Sequence, residues 1–151
     1  LLQAQKLSFN EKGEFKIMQF TDMHYSKGNP KSDTTLILIP KMLDEEKPDL
    51  VIFTGDIVTG LVDGWDDITK FAIDRKIPFA ITLGNHDHEN GVTREEVAEK
   101  VISYPYNVNT INNIGGRVLN DAKPKYLNTS DTPVFNKSNS LIQVHIQPLM
   151  V

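Results

Sequence analysis

Three short blocks, Thr21-Asp22-Met23-His24, Gly55-Asp56 and Gly84-Asn85-His86-Asp87, carry side chains suited to one kind of chemistry. Carboxylate, amide oxygen and imidazole are the donors a divalent cation takes when no thiolate is offered. The chain contains no cysteine, which also removes a thiol nucleophile and any disulfide framework. Asp22, His24, Asp56, Asn85 and His86 are far apart along the chain, so the chemistry depends on what brings them together. Were they to converge, their charges would repel or stay unsatisfied, because an unpaired buried charge is costly. One or two divalent metals would resolve that. Taken singly, an Asp after a Gly is usually a turn or helix-capping residue, and an Asp-x-His is more often a pair of exposed polar side chains. The third block is the most specific, since Thr93 already offers a cap for the following helix.

The elements around the blocks favour convergence. Leu50 to Phe53 and Pro78 to Leu83 are apolar, β-prone runs of the kind buried on both faces of a parallel sheet, and Phe15 to Phe20 reads as a further strand. Each block follows one of these runs directly, and ligands in open α/β sheets bind at the carboxyl ends of strands. Between the runs, Leu36, Ile39 and Leu43 recur at helical spacing, with Asp33 or Ser32 as cap and Pro40 as an expected kink. Lys47-Pro48-Asp49 ends that helix. An acidic, Gly-containing loop from Gly60 to Asp67 leads to a second helix through Ile68, Phe71 and Ala72, and Thr93-Arg94-Glu95-Glu96 has the form of a capping box that starts a third. The reading is an α/β fold with a βαβαβ core and a mostly parallel sheet. Before it, Asn10-Glu11-Lys12-Gly13 suggests a first short strand turning into the next. After Ser103 the pattern dissolves, until Leu141 to Ile146 alternates as a half-buried strand would.

Charge and length exclude some functions. A formal net charge of -4 gives no broad basic surface for sequence-independent nucleic-acid binding, and no apolar run is long enough to cross a bilayer. The 151 residues suffice for one domain with a real core. Leu1-Leu2-Gln3-Ala4-Gln5 reads either as the trimmed end of a signal peptide, which would make the chain periplasmic or extracellular, or as a fragment boundary.

Asp22-x-His24, Gly55-Asp56-x-x and Gly84-Asn85-His86-Asp87 together resemble the calcineurin-like metallophosphoesterase superfamily, most closely its purple acid phosphatase-like branch. The resemblance covers residues 15 to 102 well and implies a layered sheet sandwich. It implies hydrolysis of a phosphoester substrate, mono- or diester, by a hydroxide held between two divalent ions, with Mn, Fe, Zn, Mg and Co all open. Asp22 and His24 would hold the first ion, Asp56 would bridge, and Asn85 would hold the second. His86 would stabilise the phosphoryl transition state or protonate the leaving oxygen, and Asp87 would orient it. Ile57, Val58 and Thr59 offer no tyrosine where a true purple acid phosphatase places its coloured-site ligand.

The chain also departs from the family pattern. It has no Gly-His-x-His, and His145 either resembles the family's later strand-end metal ligand or is a polar-face strand residue beside Gln143 and Gln147. The expectation is a single domain over residues 1–151, truncated at its C-terminus, with a motif core at 15–102 and a poorly patterned tail at 103–151. Uncovered sheet edges would then favour self-association. Two further readings stand beside hydrolysis: a catalytically inactive, weakly metal-binding module, and an α/β domain outside the family.

Overall fold

A computed structural model of the chain describes residues 7–89, 91–109 and, as backbone, 146–147. Strands β2 (Ile17–Phe20), β3 (Leu50–Thr54) and β4 (Phe79–Thr82) form a three-stranded parallel sheet in the order β2-β3-β4. The register sets Met18 and Phe20 opposite Val51 and Phe53, which in turn face Phe79 and Ile81. Side chains alternate across a sheet, so these six share one face, and they belong to a single apolar cluster. Helix α1 (Asp33–Glu46) joins β2 to β3, helix α2 (Gly64–Asp74) joins β3 to β4, and α3 (Arg94–Ile102) follows β4. Ile39 and Leu43 of α1, Trp65 and Ile68 of α2, and Val97 and Val101 of α3 are all buried in that same cluster. The α/β class and the parallel sheet expected from the apolar runs are thus observed.

Several local details differ from expectation. In helix α1, which carries Pro40 inside it, neither Ser32 nor Asp33 supplies a side-chain cap. A 3-10 turn at Pro30–Ser32 precedes it, and that turn is capped by Asn29, whose side chain accepts the Lys31 N–H at 3.1 Å. Helix α2 begins at Gly64, within the stretch expected to be loop. The reason is packing: a Cβ on Gly64 would lie 2.7 Å from Val58 Cγ1 and 3.3 Å from the Tyr25 ring, so the helix starts where its backbone meets the loops bridged at Tyr25 and Val58. Asp66 and Asp67 also sit in its first turn, where the helix dipole favours acids. Strand β1 (Leu7–Ser8) does not pair with β2; it pairs in parallel with β5 (Ile146–Gln147). Beyond Ser103, residues 104–109 are ordered against the sheet. Phe79 and Val108 exchange backbone bonds with Tyr106 and Phe79, and the Asn109 amide makes two bonds to the Ile81 backbone, at 2.7 and 2.9 Å. The outer edge of β4 is covered that way.

Candidate metal centre

The loops leaving β2 and β3 stay paired past the strand ends. Asp22 donates its N–H to Gly55 O (3.1 Å), His24 to Asp56 O (2.9 Å) and Tyr25 to Ile57 O (2.8 Å), and Thr59 donates back to Tyr25 O (2.7 Å). This ladder sets the first block beside the second. One ligand atom from each of Asp22, His24 and Asp56 lies within 4.8 Å of the other two. Asp22 and His24 are exposed and Asp56 is half-buried, so the cluster opens to solvent.

All three residues adopt left-handed backbone, with φ of 51°, 47° and 52°. Asp and His tolerate that region better than most, yet each such residue costs on the order of 1 kcal/mol. Three in one cluster is a local strain that the strand-to-loop ladder holds in place. The two carboxylates add about 1 kcal/mol of mutual repulsion even at the dielectric constant of water. A cation reverses the sign of that interaction. Donors on opposite sides of such an ion, at about 2.0–2.2 Å each, lie at most about 4.4 Å apart. The triad therefore fits a divalent ion with little adjustment, and two carboxylates and an imidazole are a suitable donor set.

The third block is locked onto the second. A Cβ on Gly84 would fall well inside van der Waals contact with the Asp56 carboxylate and backbone nitrogen, so only glycine lets the loops meet. His86 then donates its backbone N–H to Asp56 Oδ1 at 2.9 Å, and its ring centroid is 5.2 Å from that of His24. Asn85 is exposed on the same loop. Asp22, His24, Asp56 and His86 are thus brought to one place, with Asn85 adjoining through the chain. His145 lies outside the described residues.

Asp87 sits elsewhere than the orienting role anticipates. Its side chain is buried, and its two oxygens accept four backbone N–H groups, from Asp56, Ile57, Val58 and Gly84 at 2.7–2.9 Å. Burial pushes its carboxyl pKa up, against the pull of those four bonds. The carboxylate beside His86 belongs to Glu89, whose Oε1 is 2.7 Å from His86 Nδ1. Sequence reasoning assigned no role to Glu89, although its position three residues after His86 in a tight turn is a usable signal. Nor did it assign one to Thr59, whose Oγ1 is 3.2 Å from His24 Nδ1. Such a partner can orient one ring nitrogen while the other serves a cation.

Comparison with known proteins agrees with this geometry. The family model for calcineurin-like phosphoesterases matches residues 15–144. The chain is 36% identical over 129 residues to the "Probable inactive purple acid phosphatase 29" of Arabidopsis thaliana, an overlap of 73% of this chain and 33% of that protein. It is 35% identical over 127 residues to "Phosphatase DCR2" of Saccharomyces cerevisiae, covering 70% of this chain and 22% of that one. The "Uncharacterized metallophosphoesterase YkuE" of Bacillus subtilis is 36% identical over 78 residues, 49% of this chain and 27% of that protein. The chain spans about a third or less of the length of these relatives. With three motif blocks gathered at parallel strand ends and a family match over most of its length, the chain belongs to the calcineurin-like phosphoesterase family.

Proposed function

We propose that this chain carries the cation-holding residues of a phosphoester hydrolase. Asp22 and His24 hold one divalent ion, Asp56 is shared, and Asn85 takes part in holding a second. The convergence of Asp22, His24 and Asp56 from two strand ends, in a strained backbone, is the observation that carries this reading. Divalent ions bound there supply Lewis-acid charge to a phosphoryl oxygen and a nucleophile drawn from water at neutral pH. The protein's own part is positional and protonic. The His86 backbone N–H fixes Oδ1 of Asp56 and so restrains the orientation of the carboxylate that would be shared. The His86 ring, held by Glu89 and lying beside His24, can donate a hydrogen bond to a phosphoryl oxygen or a proton to the leaving oxygen.

Calorimetric titration with Mn²⁺ or Zn²⁺, paired with hydrolysis of an activated aryl phosphate, tests the reading. Cation uptake with slow hydrolysis is expected, and Asp56→Asn abolishes both. Absence of binding heat and of any thermal shift rejects the metal centre, while hydrolysis that survives Asp56→Asn rejects this site as its source. A second reading, a cation-binding module without turnover, is favoured by the name of the Arabidopsis thaliana relative, a "Probable inactive purple acid phosphatase". Uptake without hydrolysis would select it. Among the described residues β2 is paired on one side only, which supports self-association through that edge. Sedimentation at increasing concentration tests it.

A further inference from the structure

We propose that Asp87 is a positioning residue for the metal centre: its buried carboxylate holds the Asp56 loop in ligand geometry before a cation arrives. This deepens the cation-binding reading and rests on it. Three successive N–H groups, of Asp56, Ile57 and Val58, converge on Asp87 together with that of Gly84. The first three belong to the second block and the last to the third, so a single side chain ties the two ligand loops together from behind. Oδ1 takes Ile57 and Val58, and Oδ2 takes Asp56 and Gly84. A carboxylate has acceptor sites for all four donors. An asparagine in the same pose sets its own N–H₂ against two of them, whichever way the amide is turned.

The neighbouring Arg94 completes the arrangement from the opposite sense of charge. It is 8% exposed, and its guanidinium donates to the carbonyls of Gly84 and Leu83 at 2.6 Å each. Gly84 is therefore gripped at its N–H by a buried anion and at its carbonyl by a buried cation. Gly84 is the residue pressed against Asp56, so this grip passes directly to the shared ligand. Loss of the Asp87 anchor frees four amides, one of them that of Asp56, whose left-handed φ of 52° is unfavourable on its own. His86 does not need Asp87 for orientation, because Glu89 already faces its Nδ1.

Asp87→Asn in the full 151-residue chain, titrated with Mn²⁺ alone well below its unfolding temperature, is expected to bind about 10–100-fold more weakly than the parent. The visible spectrum of the Co²⁺-loaded variant is expected to change with it. A lower melting temperature with unaltered Mn²⁺ affinity and Co²⁺ spectrum marks a merely stabilising role and overturns the proposal. Should the variant not fold, amide exchange in the metal-free parent decides. The amides of Asp56, Ile57, Val58 and Gly84 are expected to be as protected as the strand amide of Val51, gaining less than roughly tenfold on Mn²⁺ saturation. Open-loop exchange rates until Mn²⁺ is added would mean that the cation shapes the loop, and the proposal fails. A parent that takes up no Mn²⁺ sinks the metal reading, and the metal-free exchange then still judges the presetting by itself.

Discussion

At Gly84 one methyl group separates a joined pair of ligand loops from a broken one. Gly84→Ala puts a Cβ into the Asp56 carboxylate and backbone nitrogen, and the backbone nitrogen cannot swing aside. Overpacking of that kind costs about 1–3 kcal/mol. Chemical denaturation should show that loss, together with loss of Mn²⁺ binding in calorimetry; full retention of both would show that the loops can part without harm. Side-chain chemistry at this scale was legible in the residues themselves: Asp22, His24, Asp56 and His86 were all identifiable from type and neighbourhood. Partners were not. Asp87 and Glu89 are both acids just past His86, and only the turn of the loop sends one into the interior and the other to the imidazole.

The elements are ordinary α/β units whose ends do the specialised work. Helix α3 shows the capping box read from Thr93 and Glu96, with Glu96 N–H donating to Thr93 Oγ1 at 3.2 Å and Thr93 N–H to Glu96 Oε2 at 2.7 Å. Thr93→Ala should destabilise the protein by about 1 kcal/mol in a denaturant titration. The same helix places Arg94 in its first turn, so fraying there should also loosen the Gly84 loop. The Thr93 backbone N–H holds the Glu96 carboxyl below its usual value. A depressed folded pKa means that its contribution is fully present above pH 4.5 and is lost as pH falls through the folded value. Glu96→Gln should flatten that acid limb of the stability curve, and an unchanged limb would rule the cap out as its source. Local chemistry made this helix readable, whereas the start of α2 escaped because Gly64 is there for the close approach of Val58 and Tyr25, a contact between distant segments.

For the molecule as a whole, one apolar cluster joins the sheet to the helices, and the single tryptophan lies at its centre. Trp65 is 0% exposed and meets Phe53 edge-on at 6.4 Å. Its emission should be blue-shifted and resistant to iodide, and Trp65→Ala should cost about 3–5 kcal/mol. Red-shifted, readily quenched emission in the folded chain would contradict the packing. Parallel pairing is what makes this core serve the site: three strands running the same way finish together, so loops 30 residues apart in sequence, such as those of Asp56 and His86, become neighbours. The Asn-rich stretch after Ser103, which shows no periodicity, still supplies Asn109 to the outer edge of β4, where its amide stands in for a backbone partner.

From the sequence alone came the α/β class, the three strand-end blocks and donor types suited to a divalent cation. Periodicity and side-chain chemistry are local properties, and they survive in a list of residues. Tertiary structure decided which acid faces inward, which glycine cannot change, and that Asp22, His24 and Asp56 sit in left-handed backbone. Those outcomes arise where separate segments press on one another, and no residue carries that information by itself.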